Sequence, residues 1–488
     1  MSGWELAGRE VTIEPSEAVL ELQVDRPADR RVVVAVVVIG VAGDVAIRSG
    51  FVTAGGAVAG AAASAALLAS GRIVRPQAQL LIGVAPAFTV WLALRASPWL
   101  VPLDVIAALA VFALGVTLAR SGSLFDLAPR NLADRGLHSL AHAGLAPLFV
   151  AAPLRGRRSG AVARGILVAA PLVVVIAALL ASADAVFASL LGTDSLDGGD
   201  VIVHIILFTI AAWAGAAMLR ITSAPEPAPL DAPRRWFGHI EAMVVLIAIA
   251  TVLGVFAVVQ AFNLFSASER ILETRGLTYA EYARTGFFQL LWVAGIVMSV
   301  LLGLRAVTRI DSAVSRRAFV VAADVVLLLT LVVVAVSIVR LGLYQREFGL
   351  TMLRLYSTVA AYEIGMLVVL VGLAIAGVGA RRVWLPGATI VTVLVTILGV
   401  NMLNPEAFVA RVNLERGAAL VDVDGAYLTD LSDDAVPEIV AHLDQLDAAN
   451  RQIVVAQLCD RDADRGGRGW ASVTRSQARA LAALESVC

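Results

Sequence analysis

Eleven long apolar stretches constrain this chain more than any other feature. A bilayer core about 30 Å thick is crossed by roughly 20 mainly apolar helical residues. Lipid offers the backbone no hydrogen-bond partner, so a crossing stretch satisfies itself as a helix. The stretches fall at residues 32–47, 51–71, 78–95, 99–119, 163–182, 201–219, 240–262, 286–304, 319–341, 357–379 and 383–401. Composition agrees: of 488 residues, 59% are hydrophobic and 16% charged, against about 45–50% and 25% in an average soluble domain. That leaves too little polar surface for soluble domains of this length. It disfavours an ordinary soluble enzyme, a disordered chain and a nucleic-acid binder, and no nucleic acid is expected among the partners.

Orientation follows from Arg near the span ends. Every basic residue is Arg and none is Lys, which reads as coding bias rather than selection for guanidinium geometry. With the N-terminus in the cytoplasm, the inner segments hold 20 Arg and the outer ones 10. Residues 137–154 are fairly apolar, but a crossing there would erase the bias. Their two histidines and Pro147 also suit an interfacial or re-entrant helix better. The expected location is a bacterial inner membrane, with the N-terminus inside and the C-terminus outside.

Three segments result. Residues 1–31 are an acidic cytoplasmic arm without the basic start of a signal peptide. Residues 32–401 form an all-α polytopic transmembrane bundle of about eleven spans. Residues 402–488 form a small helical extracytoplasmic tail. Ser432 to Glu438 reads as a helix start, and a last helix fits 474–487. An exported tail sits in an oxidising setting, so Cys459 and Cys488 are expected to pair. In the span at 51–71, Gly55, Gly56, Gly60 and Ser64 allow close helix approach, for internal packing or for a dimer.

Polar and aromatic residues concentrate on the expected outer face, which carries all six tyrosines. Thr278 and Glu281 make a capping box beside Tyr279, Tyr282 and Arg284. Arg340, Tyr344 and Glu347 share one face if the span at 319–341 continues as a helix, and Arg354 and Tyr356 follow. Asn404, Arg411 and Asn413 open the tail. A polar site is one reading of this set; Arg–carboxylate and Tyr–backbone ties between loops are the other. Asp44, Asp104, Asp324 and Glu363 lie within or near apolar spans, where an ionisable group defaults to a functional hypothesis. Asp44 and Glu363 read as close to the outer boundary and Asp324 as close to the inner one, where pairing is cheap. Asp134, His138 and His142 fall on one helical stripe, read as a polar face; no metal is expected. The chain has no GxxxxGK[ST], HExxH or CxxC motif, so no nucleotide loop, catalytic residue or cofactor is assigned.

The stretch Leu277-Thr-Tyr-Ala-Glu-Tyr-Ala-Arg-Thr-Gly-Phe-Phe288 resembles a hallmark of bacterial multi-pass proteins known as domain of unknown function 4173, with the overlapping type 4153. So do Phe348-Gly-Leu-Thr-Met-Leu-Arg354-Leu-Tyr356, Asn404-Pro-Glu-Ala-Phe-Val-Ala-Arg411-Val-Asn413, and Tyr427-Leu with Leu431-Ser-Asp-Asp-Ala-Val-Pro437. The resemblance covers roughly residues 32–450. It implies a bacterial inner-membrane protein and no particular activity. The leading expectation is a non-enzymatic cell-envelope binding, assembly or sensing protein with its polar site outside. Its partners would be membrane lipid and an envelope protein or lipid-linked ligand. A secondary transporter and a membrane enzyme acting on a lipid-linked substrate are the alternatives.

Overall fold

A computed structural model describes residues 24–50, 52–126, 128–151, 198–225, 235–265, 287–379, 383–417, 425–463 and 474–488, with isolated positions between 165 and 187. Among them every element is helical, apart from one isolated bridge between Phe237 and Thr308. Eight stretches are long and apolar enough to cross a membrane: Pro76–Leu94, Leu100–Thr117, Val203–Ile221, His239–Phe262, Phe287–Val307, Ala313–Phe348, Met352–Ala376 and Leu385–Leu403. Large apolar side chains such as Val252, Phe262, Trp292 and Leu328 are exposed along them. Water would penalise that surface and lipid would not. The chain is an integral membrane protein with multiple spanning helices.

The other three stretches read from the sequence differ from these. Helix α1 (Arg30–Arg48) carries Arg30, Arg31, Asp44 and Arg48. Helix α2 (Ala54–Ala69) has only 16 residues. The stretch at 163–182 lies almost wholly outside the described residues.

Pro76–Leu94 is not one unbroken helix. It runs as α3 (Pro76–Val84), α4 (Pro86–Thr89) and α5 (Trp91–Leu94), because Pro86 has no N–H to continue the ladder. Helix α6 (Leu100–Thr117) packs on these pieces. Helices α7 (Pro129–Gly144) and α8 (Ala146–Ala151) follow, and neither is among the eight long apolar stretches. Helix α9 (Gly198–Ile221) lies against α1. A Cβ on Gly40 would meet the Phe208 ring at 2.6 Å, and one on Gly43 would overlap Ala211, so both glycines permit the approach. In α2, Gly60 faces Thr89, and the Ser64 hydroxyl donates to Ile82 O at 2.8 Å. The small residues of that span therefore serve internal packing.

The second half holds α10 (His239–Phe265), α11 (Phe287–Val307), α12 (Ala313–Phe348), α13 (Met352–Ala376) and α14 (Leu385–Leu403). Helix α12 has 36 residues, about 54 Å at 1.5 Å per residue, and outruns a hydrocarbon core of about 30 Å. Hydropathy alone placed this span at 319–341. Its true ends are set by polar caps: Ser312 accepts from Ser315 N–H, and Gly349 ends the helix at φ 77°, a conformation natural to glycine. Thr351 then accepts from Arg354 N–H and starts α13 five residues before the expected 357.

The tail comprises α15 (Pro405–Gly417), α16 (Gly425–Asp430), α17 (Val436–Ala441), α18 (Ala448–Ala463) and α19 (Arg475–Leu484). A capping box between Thr474 and Gln477 opens α19. Cys459 and Cys488 are joined by a disulfide with Cα atoms 5.7 Å apart. The core of the tail includes Val409, Leu414, Leu428, Ile439, Leu458 and Leu484, and it closes over Leu350, Met352 and Leu355 from the α12–α13 turn.

Candidate functional site

The strongest concentration of buried polar groups lies where the tail meets the bundle. Four chain segments converge there: the α5–α6 link, the α14–α15 link, residues 432–434 and the start of α19. Arg95 donates from Nε (3.1 Å) and Nη2 (2.7 Å) to the carbonyl oxygen of Asn401. That carbonyl belongs to the last turn of α14, where unpaired C=O groups and the negative end of the helix dipole favour a cation. Nη1 of the same guanidinium lies 3.7 Å from Asp434 Oδ1, and its Cζ sits over the Trp91 ring, 5.4 Å from the centroid. Asp434 also accepts from Ala96 N–H at 2.8 Å and from the Ser476 hydroxyl.

Glu406 is nearly fully buried at the start of α15. Its carboxylate accepts from the Ser97 hydroxyl at 2.6 Å and from Ser432 N–H. One step deeper, the Asn401 amide donates to Asp104 Oδ1 at 2.7 Å. Asn404 turns the chain between α14 and α15 at φ 54°, which Asn tolerates better than most residues. Trp99 and Tyr356 stack with centroids 5.4 Å apart.

Burial dominates the electrostatics. It lowers the Arg95 pKa, with Asp434 opposing the shift. It pushes the Glu406 carboxyl above the usual carboxylate range, against the bonds from Ser432 and Ser97. Of the buried carboxylates only Asp434 pairs with the guanidinium; Glu406 is held by the Ser97 hydroxyl and Ser432 N–H, and Asp104 by the Asn401 amide, as buried polar groups require. The arrangement ties these four segments of the chain together. Among the described residues, no group of three or more His, Cys, Asp or Glu is placed to hold a metal ion.

Several outer-face candidates make contacts in the α12–α13 turn beside this junction. Arg354 stacks over the Tyr344 ring at 4.2 Å and donates to the carbonyls of Phe348 (2.9 Å) and Gly349 (2.6 Å). Asn413 brackets Leu350, and Tyr427 accepts from Met352 N–H at 2.8 Å. Arg416 donates to the carbonyls of Gln345 and Arg346. Arg340 reaches Gln260 at 3.4 Å, and Arg411 lies 3.5 Å from Glu438. Glu347 is exposed. Tyr279, Glu281, Tyr282 and Arg284 lie outside the described residues.

Of the intramembrane charges, Asp44 meets His204 at 2.6 Å. Glu363 accepts from Thr396 at 2.7 Å, and its other oxygen is buried without a partner among the described residues. Because α13 begins at Met352, Glu363 sits midway along that 25-residue helix. Asp324 is half-buried on α12. His138 and His142 lie with their Nε2 atoms 3.0 Å apart, lining a cavity of about 280 Å³ with Arg120 and Arg135.

Sequence reasoning assigned no site role to Arg95, Ser97, Asn401, Glu406, Asp434 or Ser476. The available signal was the hallmark-like segments that contain Glu406 and Asp434; for Arg95 and Ser97 it was only an Arg-Ala-Ser at the end of an apolar stretch. No curated protein and no solved structure matches the chain. Residues 80–442, which include the junction from Arg95 to Asp434, match the family model described as Domain of unknown function (DUF4153), and the chain belongs to that family.

Proposed function

We propose that this protein binds or senses a component of the cell envelope through its tail end, and that the tail passes the event to the bundle through the junction at Arg95, Glu406 and Asp434. The observation that carries this reading is the buried ionic seam itself. Taking charges out of water is costly unless they are paired, and a tail on a passive tether would not need three carboxylates and a guanidinium at its root. The Arg bias of the sequence favours a cytoplasmic N-terminus and an extracytoplasmic tail in a bacterial inner membrane. Eleven crossings, counting α1, α2 and the stretch at 163–182, fit that orientation. The motifs quoted above also support kinship with the 4173 type.

A photoreactive residue at exposed Glu347 tests the reading in intact cells. A discrete crosslinked species is expected there, lost when Asp434→Asn loosens the tail and retained in Glu363→Gln. Absence of any species, or indifference to Asp434→Asn, overturns it.

Glu363 supports a second reading, a secondary transporter. A carboxyl at mid-helix with one unpartnered oxygen is the kind of group that proton-coupled carriers use. On that reading Glu363→Gln abolishes solute flux and Asp434→Asn does not.

A further inference from the structure

We infer that the groove between α1 and α2 is a binding site for an anionic phospholipid. The groove has a volume of about 630 Å³, in the range of small-molecule sites. Its walls are apolar: Val34 and Val38 on α1 face Ala62 and Ala65 on α2, and Arg30 and Arg31 close one end. Residues 30, 34 and 38 recur every four positions and share one helix face. The small side chains of α2 leave a slot along that face. A stripe of aliphatic wall ending in two guanidinium groups matches an acyl chain ending in a phosphate.

Among the described residues, no carboxylate pairs with the charge at the open end. Arg30 and Arg31 are exposed, and among the described residues neither guanidinium is paired with a carboxylate, Asp29 meeting Arg31 only through the backbone N–H. The nearby carboxylates are occupied. Asp29 caps α1 through Val32 N–H and pairs with Arg72 at 3.2 Å. Asp25 pairs with Arg120 at 2.6 Å. Arg72 is held in turn by the carbonyls of Arg26 and Pro27. Among the described residues the two guanidiniums therefore present positive charge where a headgroup would sit, and a guanidinium suits a phosphate through paired N–H donors. Lipid, unlike a soluble anion, fills the groove and meets the charge with one molecule. The site depends on headgroup charge and not on leaflet, so it stands whichever way the chain is inserted.

The test is native mass spectrometry of the full-length protein released from nanodiscs containing equal phosphatidylglycerol and phosphatidylcholine. The wild type is expected to retain phosphatidylglycerol over phosphatidylcholine by at least about tenfold, the scale of two surface arginines near anionic lipid. Arg30→Gln with Arg31→Gln should lose the preference, and Arg30→Lys with Arg31→Lys should keep most of it. Ala65→Trp should lower retention of both lipids by filling the slot. Excess inorganic phosphate should not displace phosphatidylglycerol. No preference in the wild type overturns the site, as does displacement by phosphate or a lipid-free dimer. If the glutamine variant does not fold, the wild-type preference and the Ala65→Trp result decide the matter.

Discussion

Asn413 and Leu350, far apart in sequence, exchange a reciprocal pair of hydrogen bonds. Leu350 N–H donates to Asn413 Oδ1 at 2.8 Å, and Asn413 Nδ2 donates to Leu350 O at 2.7 Å. One carboxamide thus satisfies both backbone groups of a buried residue at the α12–α13 turn. Asn413→Ala strands that N–H and C=O together. At about 1–3 kcal/mol for each unsatisfied group, the variant should lose about 2–4 kcal/mol and show a lower thermal midpoint in detergent. An unchanged midpoint would mean that water replaces the amide at no cost.

Asp434 should matter more for tail docking than for bundle folding. Asp434→Ala leaves Arg95 buried beside it with no counter-charge, a loss of about 3–5 kcal/mol by the usual behaviour of broken buried pairs. Replacing both partners, Arg95→Met with Asp434→Leu, should recover part of that loss through a coupling energy of about 0.5–3 kcal/mol. Hydrogen exchange over α17 and α19 is the readout. Equal protection in the single and double variants would show that the pair contributes little.

Glu406 predicts a local pH dependence. Its folded pKa is raised by burial, so the docked tail holds a proton more tightly than the free chain does. The stabilising contribution is fully present below the ordinary carboxylate pKa and fades as pH rises through the higher folded value. Protection of the Ser432 amide, which donates to Glu406, should therefore increase on acidification relative to Glu406→Gln at the same pH. A constant ratio across pH would rule out Glu406 as the titrating group.

Reducing the Cys459–Cys488 bond should loosen the end of the tail. The bridge closes a loop across a sequence separation of 29 residues, worth about 3–4 kcal/mol on the chain-entropy account. Trypsin cleavage at Arg475 and Arg479 should accelerate after reduction, while the spanning helices stay protected. Cleavage at the oxidised rate would indicate that Ala480 and Leu484, buried in the tail core, hold α19 without the bridge.

Hydropathy made the membrane helices legible because lipid permits little besides a helix. Their ends were less legible where they depend on polar caps outside the apolar run. Ser312 and Thr351 move the starts of α12 and α13 by six and five residues from the expected 319 and 357. The motif-rich segments stood out as special, and the contacts of Arg354, Asn413 and Tyr427 in them are with the backbone of one turn. Arg95 carried no local pattern, and although Glu406 and Asp434 lie inside motif-like segments, nothing there marks them as meeting Ser97 and Arg95. Their pairing spans more than three hundred residues from Arg95 to Asp434, and only the packing of α5 and α14 against the tail brings them together. Nothing in the periodicity of either stretch encodes that meeting.

The tail core incorporates Leu350, Met352 and Leu355 from the tip of the long α12–α13 hairpin. Synthesis runs from the N-terminus, so these three residues leave the ribosome well before Leu428, Leu458 or Leu484. The tail lacks one wall of its core until that hairpin has been threaded into the bilayer with its tip on the tail's side. A misinserted hairpin would leave the tail with an open apolar face, a natural substrate for proteolysis. Compact packing of the tail core is therefore coupled to insertion of the α12–α13 hairpin in the right sense.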